Sequence, residues 1–288
     1  MDEGPSRTAF ATAYARAYHQ IADPPPILSD PLAAPLLGVT SDELVAAGEP
    51  TDENPGSGAH SRPRRLFFAA RSRFAEDRIT ATGAQQAVIL GAGLDTFAYR
   101  NTDSHLRVFE VDHPATQSWK RERLDAAGIT RPANLTFVPV DFETDALATQ
   151  LESAGFSRTD PTVFVWLGVV FYLTPEAMHG TLEYIATQSA STEVVFDYLQ
   201  PGDTDEDRAQ MQERAERVAA LGEPWFGYLT PDEIASQLRE LGLRVDVDLS
   251  ATDLIDGYTG GSTFPDGPPR SLRASRILRA TTPGRTLR

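Results

Sequence analysis

The chain has 288 residues, of which 41% are hydrophobic and 23% charged, enough for one large α/β domain or two smaller ones. Its 26 basic and 41 acidic residues leave a net charge of −15, which argues against nucleic acid as a partner and against docking on an anionic membrane. It contains no cysteine, so disulfides, thiolate metal sites and a cysteine nucleophile are excluded. The opening residues MDEGPSRTAF carry no apolar signal core, and no stretch reaches the ~18 apolar residues of a membrane span, so a cytoplasmic protein is expected.

In chain order, residues 6–19 (SRTAFATAYARAYH) are rich in Ala and Arg and predict a helix, which ADPPP breaks. LAAPLL after Asp30-Pro31 predicts a short second helix, residues 48–63 a mobile loop rich in Gly, Pro and Ser, and residues 64–80 an amphipathic helix. Strand-like runs then alternate with helical ones. QQAVIL, LRVFEVD, NLTFVPVD, TVFVWLGVVFYL and TEVVFDYL read as strands, separated by helical segments of about ten to fifteen residues. This alternation predicts a parallel sheet covered by helices on both faces. The last third departs from it. Two helical runs (RAQMQERAERVAALG and PDEIASQLRELG) precede LRVDVDL and SRILRAT, which alternate apolar and polar residues as antiparallel strands do, with a flexible GYTGGSTFPDGPP loop between them.

Three strand ends carry the chemistry. The first runs into Gly91-Ala92-Gly93-Leu94-Asp95-Thr96, a glycine turn that lets backbone approach a ligand. Thr96 stands where a dinucleotide fingerprint has its third glycine, and Asp95 repels phosphate, so a ligand bearing an amino group fits better. The second ends in Glu110-Val111-Asp112, with Asp112 nineteen residues beyond Gly93, the offset of a carboxylate that accepts from a ribose diol. The third ends at Asp141-Phe142, a carboxylate beside a ring, suited to an adenine. Together they suit S-adenosylmethionine. A tight turn, a helix cap and an exposed loop carboxylate are the structural alternatives.

These motifs, with TAYARAYH, ILSDPLAAPLLG, AARSRFAEDRI, QAVILGAGLDTFAYR, FEVDHP, VPVDFETD and WLGVVFYLTPEA, resemble the leucine carboxyl methyltransferase-like family of class I S-adenosylmethionine-dependent methyltransferases, in its bacterial O-methyltransferase branch. The resemblance covers most of residues 6–185. It implies a Rossmann-like, mostly parallel sheet with a C-terminal antiparallel hairpin and an N-terminal helical cap, divided as 1–80 (cap and substrate side) and 81–288 (cofactor-binding core). It also implies that Arg71 meets the carboxylate of the cofactor, that Gly91, Ala92, Gly93 and Asp95 form its loop, that Asp112 holds the ribose beside His113, that Asp141 and Phe142 contact the adenine, and that Tyr172 stands at the transfer site. Leu167 occupies a cofactor-side position where many relatives have glutamate, and the lysine that eukaryotic members carry before the Asp-Pro motif is absent, which weakens the case for a protein C-terminus as substrate.

A carboxylate acceptor is its own nucleophile and needs positive partners, for which Arg62, Arg64 and Arg65 are candidates; a hydroxyl acceptor needs a base, for which His60 and His113 are candidates. The N-terminal helices and the loop around Tyr258 are expected to form the acceptor pocket, and the aromatic run Trp225, Phe226, Tyr228 either lines an apolar pocket or is plain packing. No ligand cluster suggests a metal. The expected activity is methyl transfer to a carboxylate or hydroxyl of a small metabolite in secondary metabolism. A nicotinamide oxidoreductase and a non-catalytic cofactor-binding protein are the alternatives.

Overall fold

The computed structural model describes residues 7–48, 61–142, 145–220 and 222–282. Four helices precede the first strand: α1 (Arg7–Ala22), α2 (Ala33–Leu37), α3 (Ser41–Gly48) and α4 (Arg62–Thr82). Pro63 sits in the first turn of α4, where its missing N–H is no loss, so Arg62 and Pro63 are helical rather than part of the expected loop. The centre of that loop, residues 49–60, lies outside the described residues. Helix α3 was not expected. Thr40 and Glu43 close its start reciprocally, Thr40 N donating to Glu43 (2.7 Å) and Glu43 N to Thr40 Oγ1 (3.2 Å), a capping box that the sequence does contain.

Strands β1 (Gln86–Leu90), β2 (Arg107–Asp112), β3 (Leu135–Pro139), β4 (Thr162–Trp166) and β5 (Thr192–Leu199) run parallel, linked in turn by α5 (Phe97–Arg100), α6 (Pro114–Ala126), α7 (Leu147–Ser153) and α8 (Pro175–Ala186). Helices α9 (Asp205–Ala219) and α10 (Pro231–Glu240) lead to β6 (Arg244–Ser250), α11 (Ala251–Thr259) and β7 (Ser275–Thr281). The strand order is β3-β2-β1-β4-β5-β7-β6, with β7 antiparallel to both of its neighbours. The chain therefore reverses direction across the sheet between β1 and β4. The carboxyl ends of these two strands flank the crevice where parallel sheets hold ligands.

Two corrections concern the connections. The apolar run TVFVWLGVVFYL is not one strand. β4 ends at Trp166, Gly168 turns the chain at φ +74, and Val170–Tyr172 forms a 3-10 turn. Apolar composition alone does not distinguish a buried strand from a buried turn. The loop expected between the last strands begins with helix α11, capped by Ser250 accepting from Asp253 N (3.1 Å), and Tyr258 belongs to this helix.

One apolar core lies beneath α4, α5 and α11, with Leu66, Ile79, Phe97 and Leu254 packed on one sheet face. A second joins the other face to α7, α8 and α10 through Leu151, Leu182 and Ile234. A smaller cluster packs α1, α2 and α3 on α6, through Ala13, Leu36, Leu44 and Leu124. Two arginines tie α4 to β5: Arg71 Nη1 meets Asp197 at 2.5 Å and Arg78 Nε meets Glu193 at 2.7 Å.

Candidate active site

The glycine turn leaves β1 at the point where the strand order reverses. Gly91 has φ +65, and a Cβ there would collide with Val169 on the turn after β4, so the two switch-point strands close on each other only around a glycine. The turn then presents the N–H of Gly93 to Asp112, at the end of the neighbouring strand β2 (2.5 Å to Oδ2). The other oxygen, Oδ1, accepts from His113 N at 2.7 Å. Burial pushes the Asp112 carboxyl above the usual carboxylate range, against the pull of these two N–H groups. Asp112 is thus locked in place, with its remaining lone pairs facing a cavity of about 690 Å³, within the usual size of a small-molecule site.

That cavity brings together all of the expected cofactor residues. Arg71, Gly91, Ala92, Gly93, Asp95, Asp112, His113, Asp141, Phe142, Leu167 and Tyr172 all line it. Asp95 also accepts from Phe97 N (2.8 Å), which closes the start of α5, and His113 Nδ1 accepts from Ala115 N (3.2 Å), which caps α6. Arg71 is buried with its guanidinium 4.6 Å from the centre of the Phe68 ring, and its Nε has no partner. Asp197 receives Arg71 on one oxygen and the N–H of Gly168 (2.6 Å) on the other, so it fixes both α4 and the turn after β4. Asp197 carried no sequence signal, because only the pairing of β4 with β5 and the packing of α4 bring it to the site.

The N-terminal segment locks the turn from the other side. Arg16 donates to Asp30 Oδ2 (3.0 Å) and to the carbonyl of Leu94 (2.6 Å), and Thr96 Oγ1 donates to Asp30 Oδ1 (2.7 Å). The threonine in place of a third glycine is therefore a buried strut to the Asp-Pro motif. The three arginines at the start of α4 have different fates. Arg65 is buried against Asp23 (2.6 Å), which also meets His19 Nδ1 (2.9 Å), and Arg62 lies 3.7 Å from the same carboxylate. These two clasp α4 to α1 and do not meet the cavity, contrary to expectation, because Asp23 reaches them first. Arg64 lies outside the lining of the cavity, and its buried Nε has no partner.

On the turn after β4, Tyr172 Oη shares a hydrogen bond with Thr8 Oγ1 (2.9 Å), which in turn donates to Glu223. Burial raises the Tyr172 pKa, so the phenol stays protonated. Thr8, on α1, and Glu223, in the connection after α9, were not anticipated, since both arrive from segments remote in sequence. Phe226 lines the cavity; Trp225 packs edge-to-face against Phe171 (5.8 Å) and Tyr228 (6.4 Å). Tyr258 does not join this pocket, because α11 lies against α4 and the Tyr258 hydroxyl donates to Asp77 there (2.9 Å). His60 lies outside the described residues. A second cavity of about 640 Å³ backs onto the Val170–Tyr172 turn and contains none of the expected residues. No helix among the described residues is long and apolar enough to cross a membrane, and no His, Asp and Glu group there could hold a metal ion.

The strand order, the antiparallel final strand and the glycine turn bonded to an acidic strand end define a Rossmann-like sheet of the class I methyltransferase type. Comparison with known proteins agrees. A family model described as leucine carboxyl methyltransferase matches residues 9–186. YktD of Bacillus subtilis, named for S-adenosyl-L-methionine-dependent methyl transfer, is 32% identical over 280 residues, covering 87% of this chain and 90% of its own. A similarly named protein of Mycobacterium sp. strain JLS is 34% identical over 275 residues, covering 86% and 87%. A methyltransferase-named structure from Thermobifida fusca superposes with a TM-score of 0.59 at 15% identity, covering 98% of this chain and 96% of its own. The chain belongs to the leucine carboxyl methyltransferase family.

Proposed function

We propose that this protein is a cytoplasmic S-adenosylmethionine-dependent O-methyltransferase, acting on a carboxylate or hydroxyl oxygen of a small metabolite in secondary metabolism. The observation that carries the reading is Asp112, bonded to the glycine turn and facing a ligand-sized cavity at the switch point. The residues present fit the cofactor. The close approach of Gly91 to Val169 leaves a cradle of bare backbone, Asp112 offers acceptor lone pairs for a ribose diol, and the unpartnered Nε of Arg71 leaves a buried donor for a carboxylate. Gly91, Ala92, Gly93 and Asp95 would hold the amino-acid part with Arg71, Asp112 and His113 the ribose, and Asp141, Phe142 and Leu167 the adenine side. The bound cofactor supplies a methyl group already activated on a sulfonium.

The protein is then left with positioning and the exclusion of water. Tyr172, kept protonated, donates to Thr8, whose own proton goes to Glu223, and this chain of hydrogen bonds fixes the phenol beside the acceptor oxygen. A carboxylate acceptor needs no base, and Arg64, which forms no ion pair among the described residues, would supply positive charge from outside the lining of the cavity. With a hydroxyl acceptor, His60 would be the base. Family membership favours methyl transfer over the nicotinamide alternative.

Calorimetric titration with S-adenosylhomocysteine tests the reading. Wild-type protein is expected to bind with an affinity of order micromolar. Asp112→Ala is expected to bind about 10- to 100-fold more weakly, the loss of hydrogen bonds to a charged group. No binding by the wild type would overturn the assignment. Binding without turnover on any carboxylate or hydroxyl would turn it into the non-catalytic alternative.

A further inference from the structure

Three side chains from remote parts of the chain meet in one hydrogen-bonded line: Tyr172 at the end of the turn after β4, Thr8 in the first turn of α1 and Glu223 in the connection after α9. All three line the cavity. Their chemistry gives the line a direction. A carboxylate only accepts, so Thr8 gives its single hydroxyl proton to Glu223. Thr8 Oγ1 then accepts at 2.9 Å from Tyr172, whose only hydroxyl proton is committed there. What the phenol oxygen has left for the cavity is a lone pair, which suits a partner that arrives with a proton of its own. A carboxylate acceptor would set lone pair against lone pair, whereas a hydroxyl would donate.

The charges of the cavity point the same way. Its two lining arginines are matched, Arg16 by Asp30 and Arg71 by Asp197, and Arg71 is taken by the cofactor carboxylate in the reading above. Among the described residues no other Lys or Arg lines it. An anionic acceptor therefore meets no unmatched cation in the lining, and meets the Glu223 carboxylate instead. His113 is no base for a hydroxyl in this arrangement. Its Nδ1 lone pair is used by Ala115 N at 3.2 Å, so the ring proton sits on Nε2 and the imidazole offers a donor. Burial keeps the Tyr172 phenol protonated, so it can hand a proton on without resting as a phenolate.

We propose that Tyr172, Thr8 and Glu223 form a proton relay that commits this site to a hydroxyl acceptor, with Glu223 as the final proton acceptor. This rests on the methyltransferase reading above, narrows its substrate class to hydroxyls, and gives Glu223 the part that His60 would otherwise take. The acceptor oxygen bonds to the methyl carbon as the carbon–sulfur bond of the sulfonium breaks, its electron pair staying on sulfur. The hydroxyl proton passes to Tyr172 Oη, the Tyr172 proton to Thr8 Oγ1 and the Thr8 proton to Glu223. The products are a methyl ether, S-adenosylhomocysteine and a protonated Glu223, which is half-buried and returns its proton to solvent.

The test gives full-length protein and methyl-labelled S-adenosylmethionine a set of simple hydroxyl probes (phenol, catechol, benzyl alcohol) and a set of carboxylates (benzoate, phenylacetate). Label is expected on the hydroxyl set. Glu223→Gln keeps an oxygen for Thr8 to donate to but removes the basicity, and should lower kcat about 100- to 10,000-fold, the usual share of a positioned base. KM for S-adenosylmethionine should hold, and the acid limb of the wild-type pH profile should vanish. Thr8→Val should fall as far, and Thr8→Ser, which keeps the hydroxyl, should restore most of what Thr8→Val loses. A readout without any acceptor is the near-ultraviolet titration of tyrosinate, with Tyr172→Phe as the blank. Removing the Glu223 charge should lower the pH at which Tyr172 ionises. Should Thr8→Val fail to fold, Glu223→Gln decides alone. The relay is overturned if carboxylates are methylated as readily as hydroxyls, if neither set is, if Glu223→Gln keeps its rate, or if Thr8→Ser is as slow as Thr8→Val. Failure of the wild type to bind S-adenosylhomocysteine in calorimetry would instead remove the underlying reading, and the relay with it.

Discussion

Gly91 shows how one atom decides a site. Its φ of +65 lies in the left-handed region, and any Cβ would run into the branched side chain of Val169. Gly91→Ala is expected to weaken S-adenosylhomocysteine binding and lower the melting temperature. Val169→Ala in the same chain should relieve the collision, leaving a residual backbone cost of about 1–2 kcal/mol, read from paired denaturation curves. If the double variant is no better than the single one, steric contact with Val169 is not the reason for the glycine. Asp112 supplies a second measurable consequence. Burial raises its native pKa, so the carboxylate acceptor is present at neutral pH and is lost on acidification earlier than for an ordinary aspartate. The affinity for S-adenosylhomocysteine should hold at higher pH and fall as the pH is lowered, starting above the ordinary value of 3.8. An affinity flat across that window would show that the carboxylate is not the acceptor.

At the scale of elements, the pairing of α4 with β5 is the join on which the site depends. Arg71 and Arg78 are two helical turns apart, about 10 Å along the axis. Asp197 and Glu193 are four residues apart on the strand, about 13 Å. The two pairs therefore meet as parallel rungs. Asp197→Ala would leave the buried Arg71 without its counter-charge and release the N–H of Gly168, at an expected cost of about 3–5 kcal/mol in chemical denaturation. The same change should weaken cofactor binding, because Arg71 and the turn before Tyr172 lose a common anchor. A variant that kept full stability would mean that water substitutes for Asp197. The caps explain why some helices were read from the sequence and others were not. Pro175 after Thr174 and Pro231 after Thr230 mark α8 and α10 openly, whereas α11 starts directly from the end of β6, where a strand pattern hides Ser250 as its cap.

Across the whole molecule, β7 is the strand that unites the two cores. Ile277 points into the core beneath α4 and α11, and Leu278 into the core beneath α8 and α10. It bonds to β5 on one side and β6 on the other, so the most C-terminal strand lies inside the sheet. Leu278→Ala should destabilise the protein by about 2–5 kcal/mol, as a fully buried leucine does when its cavity cannot collapse. Urea denaturation followed by circular dichroism would measure it, and a loss below about 1 kcal/mol would indicate that the second core repacks.

The local signals in the chain were sufficient for the sheet and for a set of residues that the fold brings to one cavity. Apolar runs of strand length, alternating with capped helices, specify parallel pairing, and a glycine turn with acidic strand ends needs only neighbouring strands to come together. Every cofactor residue expected from those signals lines one cavity. The rest of the cavity's surroundings was decided by tertiary structure. Thr8, Glu223 and Asp197 reach the site from the first helix, a late connection and the fifth strand, and no periodicity relates them. Arg62, Arg64 and Arg65 are adjacent in sequence and indistinguishable there. Their roles separate only because Asp23 folds onto two of them and leaves the third without an ion pair among the described residues. Short-range patterns are written in consecutive residues, whereas a pocket assembled from segments more than two hundred residues apart exists only once the chain has folded around it.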